Sequence, residues 1–423
     1  MPKPQTTRAG FNPFTSLGPG LITGAADDDP SGIATYSQAG AQFGLSMLWT
    51  VVLTYPFMAV FQSVCGRIGR VTGRGLAANI KLAFPRWVLF PMVGLLLVAN
   101  TLNIAADIAA MGESAQLVLG GPRQAYAVIL ALLTLGLQIF VPYHAYVRYL
   151  KWMTLALFAY VALAFTVHVP WLEVLQRTVL PKFKLDKDAA TLVVAIFGTT
   201  ISPYLFFWQA SEEVEEIDED AQAHPLREAP AEGPEELKRI GWDTYIGMFY
   251  SNAIAFFIML STAVTLNHAG ATNIQSAAQA AGALRPLAGN LAFGLFSLGI
   301  IGTGLLAIPT LAGSAAYALS EAMGWKASLG AKFSEAHGFY SVIGVAIVGG
   351  IALGFSPLDP MKALVWSAVV NGVVAVPLMA LIMILATRPK IMGRFAATPW
   401  QRWGGWIATA IMGVVAASMF VLN

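Results

Sequence analysis

The stretch Gly24 to Gly40, GAADDDPSGIATYSQAG, places three consecutive aspartates and a proline between two apolar segments. Without this interruption, Phe14 to Ala41 would be one continuous membrane-crossing helix. An aspartate at the centre of a bilayer costs about 2.5 to 3.5 kcal/mol on insertion scales, so a cation or a water-filled cavity usually compensates it. Proline removes a backbone hydrogen bond from a helix. The stretch therefore predicts an unwound, charged helix inside a membrane domain.

The composition of the whole chain also indicates a membrane protein. Of its 423 residues, 57% are hydrophobic and only 11% are charged, whereas soluble domains carry about 25% charged residues. The single cysteine, Cys65, excludes an intrachain disulfide framework and a thiolate metal cluster. There is no GxxxxGK[ST] phosphate loop, so ATP-driven pumping is not predicted. The first thirteen residues lack the pattern of a signal peptide, and we expect none to be removed.

Eleven apolar segments, separated by glycine, proline or charge, have about the length needed to cross a bilayer. We therefore predict an all-α polytopic membrane protein of eleven transmembrane helices, with residues 1–13 as a cytoplasmic N-terminus and 14–423 as a single membrane domain. The segments are Phe14–Ala41, Met47–Gly69, Trp87–Leu119, Ala125–Val141, Tyr149–Val169, Ala189–Ala210, Trp242–Leu266, Leu287–Met323, Phe339–Phe355, Met361–Leu385 and Trp403–Val421.

The distribution of Lys and Arg predicts the orientation. With the N-terminus inside, eighteen of these residues fall in inside segments and seven in outside segments, as the positive-inside rule requires. We expect a multi-pass protein of the plasma (inner) membrane with its C-terminus outside. Residues 212–239 are acidic and poor in apolar residues, which predicts a flexible cytoplasmic loop; the alternative is an acidic vestibule that concentrates cations.

The sixth segment contains a second interruption, FGTTISPYLFFWQASEE, in which Pro203 follows Ser202. The first and sixth of eleven helices are thus broken at corresponding depths. This spacing predicts an inverted repeat, residues 14–170 and 189–385, with an accessory helix at 403–421. Unwound helices expose carbonyl oxygens, which form a cation site together with a carboxylate. Asp29 directly precedes the first break and is the main predicted ligand, while Asp28 is either a ligand or a vestibule charge.

Four runs of sequence, in order along the chain, resemble the Nramp family of divalent-metal transporters. They are DPSGIATYSQAGAQFGLSMLW (29–49), GRIGRVTGRGLA (66–77), NIAADIAAMGESAQLVLGGP (103–122) and TTISPYLFFWQAS (199–211). The resemblance implies the five-plus-five fold of LeuT-type transporters. It also implies a metal site built from Asp29 and from the carbonyl oxygens of Ala26 and Thr199.

The chain departs from the family pattern at several of these positions. Gly32 replaces an asparagine ligand and Ser202 replaces a methionine ligand, while Tyr204 and Gln209 stand where the family has histidines. Asn371 lies about one turn from the position of a family glutamine. Three further acidic residues are predicted to lie on an ion or proton pathway: Asp28, Asp107 and Glu113.

These departures predict which ion is carried. A thioether favours soft transition metals, whereas oxygen ligands suit Mg²⁺, which usually keeps several of its waters. The pattern therefore resembles the Nramp-related magnesium transporter branch. This resemblance implies import of partly hydrated Mg²⁺ and also of Mn²⁺, with weak or no proton coupling. We expect no enzyme activity, no resident cofactor and no nucleic-acid partner; the partners are the metal substrate and the lipid bilayer, and a monomer would suffice.

Three alternatives remain open. The first is a classical proton-coupled Mn²⁺/Fe²⁺ transporter, and the second is a sodium-coupled transporter of organic solutes. The third, a membrane-embedded hydrolase with paired aspartates, is disfavoured because adjacent aspartates point in different directions.

Overall fold

The computed structural model describes residues 19–141, 153–182, 186–220, 222–355 and 359–421. No β-strand occurs among these residues. The longer helices are α1 (Pro19–Asp27), α2 (Pro30–Phe43), α3 (Leu48–Thr72), α4 (Leu76–Ala83), α5 (Arg86–Leu119), α6 (Arg123–Phe140), α7 (Phe158–Thr166), α8 (Trp171–Val179), α9 (Lys187–Thr200), α10 (Pro203–Glu219), α11 (Gly233–Thr262), α12 (Ala292–Met323), α13 (His337–Gly354), α14 (Pro360–Thr387) and α15 (Pro399–Val421). Short helices occur at Ala277–Ala281, Arg285–Ala288 and Pro389–Met392, and a π-helical turn at Ala263–Asn267.

Each of the eleven predicted membrane segments has a helical counterpart. Residues 1–13, and the starts of the first and fifth predicted segments (14–18 and 149–152), lie outside the described residues. By length and apolarity, nine helical stretches of the described chain could cross a membrane, or ten if the bent pair α7–α8 is one span; one of the nine, Lys187–Glu219, joins α9 and α10. In that count α2 and α3 form one stretch, although Gly44 ends α2 and a 3₁₀ turn, Gly44–Met47, separates the two helices.

Both predicted helix breaks are present. Asp29 has an extended backbone (φ −69°, ψ 167°) between α1 and α2, and α2 begins at Pro30. Ile201 and Ser202 interrupt the sixth predicted segment between α9 and α10, and α10 begins at Pro203. In each break, proline occupies the first helical position, where its missing N–H leaves no hydrogen bond unmade.

Glycine residues allow α9 to pack closely against α14. A β-carbon on Gly372 would lie 2.7 Å from the carbonyl oxygen of Val194, and one on Gly198 would overlap the backbone of Ala368 and Gly372. Such close backbone approach is typical of helix pairs in membranes. It fixes the end of α9, and with it the second break, against α14.

The prediction of a flexible loop over residues 212–239 is wrong for most of that stretch. α10 continues to Glu219 and α11 begins at Gly233, so only residues between them connect the helices. The helices persist because the carboxylates have partners: Arg239 Nη2 lies 2.7 Å from Glu213 Oε2, and Tyr317 Oη donates to Glu215 Oε1 at 2.6 Å. An ion pair and a hydrogen bond therefore stabilise carboxylates that the composition alone predicted to be solvent-exposed.

Candidate metal site

Asp29 lies at the centre of the site, between α1 and α2. Its Oδ1 accepts a hydrogen bond from the backbone N–H of Gly32 at 2.6 Å, and its Oδ2 accepts one from Asn103 Nδ2 at 2.9 Å. The residue is 1% exposed and forms no ion pair with another described residue. A carboxylate at a helix N-cap is favoured by the helix dipole. The carboxylate is thus held in place, and no basic side chain of the described residues pairs with its charge.

The other two aspartates of the triple face α11 instead of the second break. Ser251 Oγ lies 2.6 Å from Asp27 Oδ2 and 3.1 Å from Asp28 Oδ1. One hydroxyl has one proton, so it donates to only one of these carboxylates at a time. Asp27 Oδ1 and Asp28 Oδ2 have no hydrogen-bond partner among the described residues. Asp28 is therefore next to Asp29 in sequence but is held by a different helix.

The two predicted carbonyl ligands are both engaged by hydroxyl groups. Tyr204 Oη donates to the carbonyl oxygen of Ala26 at 3.1 Å. Ser202 Oγ lies 2.6 Å from the carbonyl oxygen of Thr199 and 3.0 Å from that of Gly198. Each carbonyl oxygen has two lone pairs, so one remains available in each case.

Hydroxyl pairs also link the two breaks directly. Tyr36 Oη and Thr200 Oγ1 are 2.8 Å apart, and Ser31 Oγ and Thr199 Oγ1 are 3.5 Å apart. The structure therefore brings together six of the predicted site residues, from both halves of the chain: Ala26, Asp29, Gly32, Thr199, Ser202 and Tyr204.

Gly32 faces the gap between the two breaks. A β-carbon at this position would lie 3.2 Å from Thr199 Oγ1 and 3.4 Å from Asp29 Oδ1. A larger side chain here would extend between the carboxylate and the second broken helix. Because Gly32 has no side chain, the space between Asp29 and Thr199 remains open.

The remaining predicted residues form no described hydrogen bond to Asp29. Gln209 Oε1 accepts from Thr23 Oγ1 at 2.9 Å and so joins α10 to α1. Asn371 and Asp107 are buried, and their side-chain polar atoms have no hydrogen-bond partner among the described residues. Glu113 accepts from the backbone N–H of Ala277 at 2.9 Å, away from Asp107.

Sequence reasoning missed Asn103. This residue donates to Asp29 and accepts from Ser367 Oγ at 2.7 Å, so it connects α2, α5 and α14. The available signal was its position one turn before Asp107, which places both polar residues on one face of α5. Ser367 also lines a cavity of about 210 Å³ between α5, α13 and α14.

No group of three or more His, Cys, Asp or Glu residues within the described ranges is arranged to hold a metal ion. The donors around Asp29 are instead hydroxyl, phenol, amide and carbonyl groups. Such a set is typical of hard cations that retain part of their water shell.

A membrane domain in which two broken helices meet at a buried carboxylate is the architecture of a secondary transporter. Residues 20–422 match the family described as natural resistance-associated macrophage protein-like, so the chain belongs to the Nramp family.

Named relatives agree with this assignment. The chain is 27% identical over 408 residues to a divalent metal cation transporter MntH of Acidiphilium cryptum (strain JF-5), with 92% of this chain and 86% of the relative covered. It is 25% identical over 405 residues to a protein of the same name from Klebsiella pneumoniae (strain 342), covering 94% and 91%. The relatives are transporters, in agreement with the prediction that this chain is not an enzyme.

Solved structures confirm the predicted fold class. A manganese transporter of Eremococcus coleocola, in complex with an aromatic bis-isothiourea compound, superposes with a TM-score of 0.77 at 16% identity, covering 97% of this chain and 88% of that one. Mhp1, a nucleobase-cation-symport-1 family transporter in a closed conformation, gives 0.58 at 13% identity, covering 96% and 92%.

Proposed function

We propose that the protein imports divalent metal ions by alternating access, with partly hydrated Mg²⁺ as its main substrate and Mn²⁺ as a second one. The family assignment and the names of the relatives support divalent-metal transport. The observation that carries the proposal is Asp29, a buried carboxylate at a helix break with no described basic partner. Such a charge favours a cation as its missing counterpart.

The chemistry of the surrounding groups favours Mg²⁺. The predicted ligands supply oxygen, and neither Gly32 nor Ser202 offers the thioether or imidazole that soft metals prefer. Mg²⁺ gives up its waters reluctantly and binds proteins through one or two carboxylates with several waters kept. A single carboxylate beside an unfilled glycine position suits an ion of this kind.

Each residue has a proposed role. Asp29 supplies the main charge, and the carbonyl oxygens of Ala26 and Thr199 supply further ligands as α1 and α9 adjust. Ser202 contributes its hydroxyl directly or through water. The side chains that contact the ion's water shell are Tyr204, Gln209 and Asn371.

We propose weak or absent proton coupling. The site residues include no histidine, the residue that most readily exchanges protons near neutral pH. Asp28, Asp107 and Glu113 remain as an ion or proton pathway. The metal gradient and an inside-negative membrane potential would then drive influx.

The proposed membrane placement follows from the charge distribution. The protein lies in the plasma (inner) membrane with its N-terminus in the cytoplasm and its C-terminus outside, because most Lys and Arg residues then lie inside. Residues 14–170 and 189–385 form the two inverted repeats, and 403–421 the accessory helix.

Flux into liposomes that contain the purified protein tests the proposal. Mg²⁺, Ca²⁺ and Mn²⁺ are offered separately and in competition, with a pH dye inside the liposomes. We expect Mg²⁺ uptake, competition between Mg²⁺ and Mn²⁺, and little change of internal pH. Mn²⁺ uptake that Mg²⁺ does not inhibit would contradict the proposed selectivity.

The second candidate is a classical proton-coupled Mn²⁺/Fe²⁺ transporter. The buried Asp107 favours it, because a carboxylate without a described hydrogen-bond partner is suited to carry a proton. This candidate predicts Fe²⁺ or Cd²⁺ uptake with acidification inside the liposomes. A sodium-coupled solute transporter, the remote alternative, would instead show no flux of divalent metal ions.

A further inference from the structure

A cavity of about 480 Å³ opens at the ends of three helices, away from the metal site. Its walls come from the turn between α3 and α4, from the segment between α10 and α11, and from the short helix Pro389–Met392. Each of these elements contributes one basic side chain, Arg74, Arg227 and Lys390 respectively, and Glu228 is the acidic residue of the wall. The volume lies in the range of small-molecule sites.

The three cations are exposed, and none forms an ion pair with another described residue. Neighbouring arginines behave differently: Arg70 lies 3.2 Å from Glu236 Oε2, and Arg239 contacts three carboxylates. The positive-inside rule explains why basic residues lie on this side, but it does not explain why three of them surround one cavity. Their mutual repulsion is relieved when an anion binds.

The backbone around the cavity is firmly held. The N–H groups of Leu226 and Arg227 donate to the carbonyl oxygens of Arg70 and Val71 at 3.1 and 3.2 Å, and so cap the last turn of α3. Gly73 adopts φ 62°, and a β-carbon there would lie 2.5 Å from a side-chain carbon of the adjoining segment.

The turn that carries Arg74 is fixed as well. The buried side chain of Asn79 donates to the carbonyl oxygens of Arg74 and Gly75, each at 2.9 Å. The cavity wall is therefore preorganised, which lowers the entropic cost of binding.

We propose that this cavity binds a phosphate group. Two arginines and a lysine outweigh the one carboxylate, and guanidinium groups match the geometry of phosphate oxygens. The phosphate belongs to an anionic lipid headgroup or to a soluble phosphate compound, which present the same chemistry. Because the wall segment follows α10, whose other end is the second helix break, a ligand bound in the cavity would restrain the C-terminal end of α10.

Binding is measured with the full-length protein in metal-free, low-salt buffer, so that no metal bridges ligand and protein. One arm titrates inorganic pyrophosphate by calorimetry; the other counts phosphatidylglycerol retained over phosphatidylcholine by native mass spectrometry. The double variant Arg227→Gln/Lys390→Gln should bind about tenfold more weakly, the effect of losing one to two charged hydrogen bonds. The matched control Lys332→Gln/Arg402→Gln removes two exposed cations outside the cavity and should bind normally.

Loss confined to the cavity variant supports the proposal, and the arm in which it appears identifies the source of the phosphate. Equal loss in both double variants, or no binding by the unaltered protein in either arm, overturns it. Glu228→Gln provides an independent readout that does not depend on weakened binding. It removes the carboxylate of the wall and should tighten binding about threefold; unchanged or weaker binding also overturns the proposal.

Discussion

The hydroxyl of Tyr204, in α10, donates a hydrogen bond to the carbonyl oxygen of Ala26, in α1, at 3.1 Å. This bond joins the two broken helices next to the predicted ion position. Both residues are buried, with exposures of 0% and 2%. The bond therefore links a backbone carbonyl near the end of α1, one of the predicted ligands, to α10.

Tyr204→Phe removes this hydrogen bond and leaves the ring in place. A net hydrogen bond contributes about 0.5 to 1.5 kcal/mol, so we expect metal affinity to fall about fivefold. Calorimetric titration with Mg²⁺ and Mn²⁺ measures the effect. Tyr55→Phe is the control, because Tyr55 Oη also donates to a backbone carbonyl, that of Tyr245, outside the site. Equal or tighter metal binding by Tyr204→Phe would show that the hydroxyl does not support the site.

Asn103→Ala removes the side chain that orients the carboxylate of Asp29. Loss of a residue that orients a metal ligand typically lowers affinity or activity about 10- to 100-fold. We expect the transport rate of the variant to fall by a factor in that range. Asn100→Ala is the matched control, since Asn100 lies on the same helix but donates to Leu311 and Ser314. Comparable losses of transport in both variants would mean that Asn103 only stabilises the helix packing.

Gly32→Ala places a methyl group in the gap between the two breaks, 3.2 Å from Thr199 Oγ1. We expect slower Mg²⁺ transport than in the unaltered protein, because the methyl group displaces water from a partly hydrated ion. Gly94→Ala serves as control, since a β-carbon on Gly94 meets nothing within 4 Å. Proteoliposome flux should separate the two variants. Normal Mg²⁺ flux in Gly32→Ala would exclude a role for this gap.

Ser202→Met introduces a thioether beside the second break. A soft ligand favours transition metals over Mg²⁺, so the ratio of Mn²⁺ or Cd²⁺ uptake to Mg²⁺ uptake should rise. Ser202→Ala separates the effect of sulfur from the loss of the hydrogen bonds to Gly198 and Thr199. If both variants shift the ratio equally, Ser202 does not determine which metal is carried.

The two helix breaks could be predicted because their cause is local. A polar residue followed by proline inside an apolar segment is visible in the sequence, and both breaks, at Asp29-Pro30 and at Ser202-Pro203, lie where that pattern places them. The extent of α10 could not be predicted in this way. The carboxylates of Glu213 and Glu215 are compensated by Arg239 and by Tyr317, which lie on other helices.

The site residues also divide into those that could be predicted from local sequence and those that depend on contacts with other helices. Residues within the breaks, such as Gly32 and Ser202, were identified from their neighbours in sequence. Asn103 and Ser251 were not, because their contacts with Asp29 and Asp27 depend on how α5 and α11 are rotated against the breaks. Helix rotation is set by packing over the whole bundle and leaves no local signature.

Mg²⁺ influx in proteoliposomes that contain Asp29→Asn tests the central claim most directly. Asparagine caps a helix about as well as aspartate, so the variant should fold while losing the charge. Asp186→Asn is the control, since Asp186 caps α9 in the same way, by accepting from Ala189 N–H at 2.9 Å. We predict that Asp29→Asn reduces influx to the level of empty liposomes and that Asp186→Asn transports normally. Undiminished Mg²⁺ influx in a folded Asp29→Asn protein would contradict the account.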